Sequence, residues 1–482
     1  MINIQTQNEN KSKWGAMLSI GIGVFMGAMD MSIINISLPT LMVQLKTQFS
    51  TIQWVVIGYV LVVTCTMMGA ARMGDMYEKK KLNIWGVSIF TLGSLLCGFS
   101  TNVNWLITFR IFQGLGAVIM QALGMAIIVE IFPSNERGRA LGILGSIVST
   151  GISLGPPLGG MIIGLLGWQW VFFINVPLGV FAIIAAVKFL PQLPPGQVNQ
   201  KFDISGALIL FVTLGCFALS MTFAQNYGFG NIIVILLLIL SLFGIISFLT
   251  VEKKISQPMI DMSLFRNITF SLHLIMGFFA FITLAGVFLF PFFLQFVKRY
   301  STQQIGLLMM VTPISIAMVS YGSGVLSDRF GSHKLSIFGI LILAAGCYSI
   351  STMNADVNAF GYLIRLLPLG IGLGMFQSPN NSAIMGSAPR ERLGVASGLL
   401  ALARSLGQTT GMPILGTVFA SAMLAVSPAS SLSKLADAPA QALVSGFKIT
   451  FRISSISLFA LVIITVFIHS IIKRGIQSGK IL

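Results

Sequence analysis

Along the 482 residues, long apolar runs alternate with short polar breaks. A helix that crosses a bilayer needs roughly 20 apolar residues. Fourteen such segments follow one another, at about 15-39, 52-72, 83-100, 104-130, 140-165, 170-190, 203-223, 231-251, 270-297, 303-326, 335-352, 359-385, 394-423 and 448-472. The pattern predicts an all-α polytopic membrane protein with 14 transmembrane helices. The first run is too long for a signal-peptide core and shows no cleavage site after a short apolar stretch, so it reads as a retained span.

Composition sharpens this. Hydrophobic residues make up 55% of the chain and charged ones 9%, against about 25% charged in soluble proteins, which excludes a water-soluble enzyme. The net charge of +16 would suit nucleic acid if it were gathered on a surface, but the basic residues lie in short loops between apolar runs, where they face anionic lipid. With the N-terminus inside, twenty Lys and Arg fall on inner segments and six on outer ones, and three (Arg110, Arg365, Arg404) lie within spans. Positive charge collects on the cytoplasmic side, so both termini are expected in the cytoplasm and the chain in the inner (cytoplasmic) membrane.

The four cysteines sit in apolar runs without CxxC spacing, and His273, His333 and His469 are scattered, so neither a metal site nor a catalytic histidine is expected. No phosphate-binding GxxxxGK[ST] loop occurs, and no loop is long enough for a nucleotide-binding domain. No cofactor is expected.

The chain repeats itself. Arg110 and Arg365 are each followed 26 residues later by Glu-Arg, at Glu136-Arg137 and Glu391-Arg392, and Asp75 matches Asp328 at a spacing of 253. The repeat shifts the pattern by eight helices, which predicts two pseudo-symmetric six-helix bundles separated by two extra linker helices. The expected boundaries are 1-195, 196-268 and 269-482. Parallel halves of this kind hold their substrate near the bilayer midplane and expose it alternately to either side.

Asp30 is the one acid of thirteen well inside a span, about 13 Å inward from Pro39 at 1.5 Å per residue. A charged side chain there costs on the order of 3 kcal/mol, which marks it as a functional candidate and the expected protonation site; the bland alternative is a structural partner for an internal arginine. Arg110 lies at a similar depth in span 4, with Gln113 one turn on. The run "GISLGPPLGG" sets Gly151, Gly155, Pro156, Pro157, Gly159 and Gly160 where a regular helix is weakened and close backbone approach becomes possible.

Five segments, "MDMSIINISLP" from Met29, "STIQWVVIGYVL", "FRIFQGLGA", "GISLGPPLGG" and "GWQWVFFINVPLG", resemble the signatures of the major facilitator superfamily, and within it the fourteen-span drug:proton antiporters, in the expected order. The resemblance implies the major facilitator fold, assigns the span-4 arginine to proton coupling with Asp30 and Gln113, and makes the glycine-proline run the antiporter motif. It further implies gating loops at Asp75, Lys79 and Lys80 and at Gly324, Asp328, Arg329 and Gly331. The first loop departs from the family pattern, with Ala71, Met76 and Glu78 replacing two glycines and an arginine. Asn35, Trp54, Tyr59, Gln121, Asn175, Arg365, Gln377 and Asn380 are candidates for lining a substrate cavity.

The expected function is therefore proton-coupled export of hydrophobic or cationic drug-like compounds by a monomeric transporter whose partners are protons, lipid and the small-molecule substrate. A dedicated exporter of one metabolite, lipid or peptide is the alternative. A channel would need a continuous polar pore and a membrane enzyme clustered acids or a nucleophile pair, and neither is visible.

Overall fold

The computed structural model describes residues 2–133, 136–192, 204–253, 262–389, 393–426 and 438–477, and the regular elements among them are helices. Glu391 and Arg392 of the second Glu-Arg landmark lie outside the described residues. Thirteen helices are long and apolar enough to cross a membrane, among the described residues. The helix at Leu393–Leu424 occupies the position of the remaining expected span, its apolar character diluted by Arg404 and by Gln408, Thr409 and Thr410. The protein is thus an all-α polytopic membrane protein.

The first six spans are α1 (Ile2–Gln44), the short α2 (Phe49–Ile52) with α3 (Trp54–Met76), α4 (Lys79–Gly98), α5 (Val103–Ile131), α6 (Arg137–Leu166), and α7 (Trp170–Phe173) with α8 (Asn175–Phe189). The extra pair is α9 (Ile204–Tyr227) and α10 (Ile232–Glu252). The ninth span starts as α11 (Ile268–Ala285), then loosens through a 3₁₀ turn at Gly286–Phe288, α12 (Leu289–Phe292) and a π turn at Phe293–Val297. Pro291, inside that stretch, removes a helical donor. The chain continues with α13 (Thr302–Met309), α14 (Val311–Phe330), α15 (Ser332–Ile350), α16 (Ala359–Ser387), α17 (Leu393–Leu424) and α18 (Ala440–Gln477).

Two compact units result. One takes the described residues of Met1–Met259 with Phe290–Met310, and the other those of Ile260–Leu289, Val311–Ser431 and Ala438–Leu482. Within the first, α1 packs on α6 and α8, α5 on α3 and α4, and α4 on α8. Within the second, α11 packs on α17 and α18, α16 on α14 and α15, and α15 on α18. The same neighbour pattern thus recurs eight spans later.

Glycines set the register of that recurrence. A Cβ on Gly116 would lie 2.3 Å from Phe90 N, and one on Gly372 2.3 Å from Leu343 N. A Cβ on Gly151 would lie 2.9 Å from the Phe25 carbonyl oxygen, and one on Gly407 2.6 Å from that of Phe278. Spans 1 and 3 therefore match their counterparts at a spacing of 253, and spans 4 and 5 at 256. The difference lies in the connection between the third and fourth spans, residues 99–102 in one half and 351–358 in the other. In this register Arg110 corresponds to Leu366, which is wholly buried, and Asp30 to the buried Thr283. Arg365, although 255 residues from Arg110, is one residue out of phase, about 100° around the helix.

Of the two extra helices, α9 is attached through side-chain hydrogen bonds to the start of the second span, and α10 packs on α9. Gln53 donates to Gln225 (3.2 Å), Trp54 to Thr222 (3.0 Å), and Asn226 to Ser50 (3.1 Å).

Candidate functional site

The centre of the first unit is a closed polar cluster built by close helix approach. A Cβ on Gly93 would sit 2.7 Å from the Gln113 Cα, and one on Gly114 3.1 Å from the Tyr59 carbonyl oxygen. Only glycine lets α3 and α4 come this near α5, and that proximity brings the side chains of α5 onto their partners. On the other side, ideal Cβ atoms at Gly151, Gly155 and Gly159 would meet Phe25 O, Ser32 Oγ and Ile33 Cγ2, so one glycine face of α6 grips α1 on both sides of Asp30. Gly160 and Pro156 pack oppositely, against Thr302 and Gly306 of α13, whose glycine Cβ would lie 2.5 Å from the Pro156 carbonyl oxygen. Pro157 shares that contact, while Pro156 and Pro157 both lie inside α6.

Arg110 is fully buried and Asp30 is 2% exposed. The arginine donates from Nη1 to Asp30 Oδ2 (2.6 Å) and to Gln113 Oε1 (2.6 Å), and from Nε to the Val55 carbonyl (3.0 Å). Gln113 donates from Nε2 to Asp30 Oδ1 (3.1 Å) and to Ser94 Oγ (2.6 Å), and Asn175 donates to Asp30 Oδ1 (3.3 Å). The guanidinium stands 4.2 Å from the Tyr59 ring centroid, a cation-π contact in a water-excluded site. Five spans thus converge on one carboxylate: α1 supplies it, α3 a carbonyl and a ring, α4 a hydroxyl, α5 the arginine and glutamine, and α8 an amide. Such a cluster holds a buried charge pair at acceptable cost because both ions are hydrogen-bonded, and it becomes unstable when either charge is lost.

The cavity candidates separate. Asn175 and Tyr59 belong to the Asp30 cluster; Trp54 is bonded to α9; Asn35, half-buried, donates to the carbonyl of Met31 (3.3 Å), and Gln121, half-buried, sits beside Gly27. In the second unit Asn380 is buried against His273, and Gln377 is half-buried. Arg365 donates to the Gly361 carbonyl (3.0 Å) and to the Thr352 hydroxyl (3.1 Å), satisfied by its own neighbourhood. Arg404 donates to Asn381 Oδ1 and stacks on Phe281.

The candidate gating residues lie at helix ends more than in loops. Asp75 is in the last turn of α3 and Asp328, exposed, in that of α14. Gly331 takes φ +90° between α14 and α15, a left-handed conformation that favours glycine, and Gly324 packs against Ser378 of α16. Arg329 is exposed and lies 5.6 Å from the Phe330 ring centroid. Lys79, nearly buried, pairs with Glu130 (2.8 Å), and Lys80 donates to the Val187 carbonyl (3.0 Å). A second ion pair joins Lys13 of α1 to Glu136 at the start of α6 (2.7 Å). Sequence reasoning left these pairs unassigned, although acids bordering apolar runs and facing basic loops were their signal. His273 and His333, scattered along the sequence, are brought into contact by the fold. No group of three or more potential metal ligands occurs among the described residues.

The comparisons with known proteins agree with this architecture. Over 86% of the chain, it is 36% identical to the riboflavin transporter RibZ of Clostridioides difficile, covering 90% of that protein. It is 31% identical to the multidrug transporter protein MdtP of Bacillus subtilis, over 86% of this chain and 77% of that one, and 30% identical to the multidrug resistance protein Stp of Mycobacterium tuberculosis, over 85% and 76%. Among solved structures, a bacterial homologue of the human lysosomal transporter Spinster superposes with a TM-score of 0.65 at 15% identity, over 94% of this chain and 95% of that one. The peptide transporter POT superposes with a TM-score of 0.66 at 13% identity, over 95% of each. The family described as Major Facilitator Superfamily matches residues 20–412. A duplicated helical plan with a buried ionic cluster in its first half, matched over most of its length, places the chain in the major facilitator superfamily, as a multi-pass membrane transporter of small molecules and not an enzyme.

Proposed function

We propose that the protein is a proton-coupled exporter of hydrophobic or cationic compounds, working by alternating access, with Asp30 as the site that takes up and releases the coupling proton. The observation that carries this reading is the Asp30–Arg110–Gln113 cluster. Three donors converge on the carboxylate. A proton on Oδ2 would remove the charge that Arg110 pairs with and leave a weaker acceptor for its Nη1–H, so the neutral cluster holds the present geometry less firmly. Arg110 would retain Gln113 Oε1 and the Val55 carbonyl, while the ionic tie between α1 and α5 is lost and only the neutral Gln113 bond to Asp30 Oδ1 remains. Protonation thereby favours a different arrangement of α1, and the glycine contacts would pass that change to α6. Because Asp30 is 2% exposed, exchange with water belongs to that second arrangement.

The second half has Thr283 and Leu366 at the equivalent positions, which concentrates coupling in the first. The repeat supports reading 1-195 and 269-482 as the two rocking halves and 196-268 as an inserted helix pair. Asp75 with Lys79 and Lys80, and Gly324 to Gly331, would form the latches of the inner loops. Loop charge supports cytoplasmic termini in a cytoplasmic membrane; the monomer as the working unit rests on the family resemblance alone.

The riboflavin transporter relative favours a second reading, a carrier dedicated to one planar metabolite of flavin type. Proteoliposomes with an imposed pH gradient, loaded in parallel with ethidium, a neutral lipophilic dye and riboflavin, separate the two. Gradient-driven flux of the first two supports drug export, flux of riboflavin alone supports the dedicated carrier, and flux indifferent to the gradient rejects proton coupling.

A further inference from the structure

We propose that His273 and His333 form a second proton-binding site, in the second unit, which holds a single proton between two imidazoles and ties the ends of α11 and α15 together while it does so. His273, six residues into α11, is wholly buried, and His333 is the second residue of α15 and half-buried. His273 donates from Nδ1 to Asn380 Oδ1 on α16 (2.8 Å), which leaves its Nε2 facing Nδ1 of His333 at 3.1 Å. The rings meet edge to face, with centroids 5.2 Å apart.

That geometry counts protons. In the neutral pair one N–H lies between the rings, donated by His333. A first added proton leaves one N–H there, because either ring can be the imidazolium while the other presents a lone pair. A second proton puts an N–H on both facing nitrogens and two positive charges on rings in contact, so the bond breaks and α15 separates from α11. Imidazole is the side chain that changes charge near neutral pH, and two in contact titrate as a pair.

Among the described residues, the charged positions on the elements packed around the pair are Arg266 before α11, Asp328 and Arg329 at the exposed end of α14, Lys334 beside His333, Arg365 on α16, Arg404 on α17, and Lys448, Arg452, Lys473 and Arg474 on α18. Arg404 is bonded to Asn381, the chain neighbour of Asn380. In the glycine register His273 corresponds to Ile20 and Asn380 to Gly124, which meet in a purely apolar contact in the first unit. The pair is thus a feature of the second half alone. It lies ten residues, about 15 Å along the helix, from the position equivalent to Asp30. The proposal goes beyond the transport reading and does not need it.

The chain has three histidines, so the test is direct. The full-length protein, labelled with ¹⁵N-histidine and held in nanodiscs, is titrated by NMR from acid to alkaline pH, with His469→Gln for assignment. The expected result is that His273 and His333 titrate in two separated steps, each sensing both, and that either His273→Gln or His333→Gln collapses the survivor to a single step. His333→Gln, at the half-buried position, serves where His273→Gln fails to fold. Independent single-step curves, unmoved by substitution of the other histidine, overturn the proposal. In Asp30→Asn protein the paired titration is expected to persist, so its loss in native protein and a failure of gradient-driven transport are separate outcomes.

Discussion

Asp30→Asn is the most demanding test of the central cluster, because the substitution keeps the shape and changes only charge and one acceptor. In the native cluster Oδ2 accepts from Arg110, while Oδ1 accepts from both Gln113 and Asn175. An amide supplies one oxygen. Turned toward Arg110, it points its NH₂ at two further donors; turned toward Gln113 and Asn175, it points that NH₂ at the guanidinium. Either way a donor loses its acceptor, at about 1–3 kcal/mol, and Arg110, with no exposed surface, keeps a charge that nothing balances. Breaking a buried pair from one side costs about 3–5 kcal/mol, and the two effects overlap, so the first unit should weaken by roughly 3–5 kcal/mol in all. Thermal unfolding of the purified protein in detergent measures this. The double variant Asp30→Asn/Arg110→Gln removes the stranded charge and is expected to recover a large part of the lost stability, while pH-gradient-driven flux stays absent in both. If Asp30→Asn melts with the native protein and retains gradient-driven flux, both the cost and the coupling role assigned to this pair are wrong.

Gly160→Ala should force α6 and α13 apart, because the new Cβ would stand 2.3 Å from the Thr302 backbone oxygen, which has no rotamer to yield; a loss of about 1–3 kcal/mol is expected, and an unchanged melting profile would contradict it. A Lys79→Ala and Glu130→Gln double-mutant cycle is expected to give a coupling of no more than about 1 kcal/mol, since Glu130 is 37% exposed, and the coupling should shrink in high salt. Trp54→Phe removes the indole bond to Thr222 and should cost about 0.5–1.5 kcal/mol, with greater protease sensitivity of the link to the extra helices; Thr222→Val alone should reproduce the effect.

How much was legible beforehand follows from what each feature depends on. Apolar runs longer than a bilayer leave the backbone no choice but helix, so the spans and the membrane class could be read from residue order. Charge in loops and a lone acid in an apolar run are equally local, which is why Asp30, Arg110 and Gln113 could be named as candidates. The sequence also showed a repeat, but through landmarks at 255 it paired Arg110 with Arg365. The glycine contacts show spacings of 253 and 256 on either side of one connection, and a single residue of phase is enough to turn Arg365 away from the position of Arg110. Likewise His273 and His333 are 60 residues apart and meet only because α11 and α15 begin side by side. What residue types and run lengths determine was open to reading, namely helices, membrane and the presence of a buried charge. Which side chains meet was decided by helix phase and by the glycines that set how closely helices approach, and those are properties of the packed molecule.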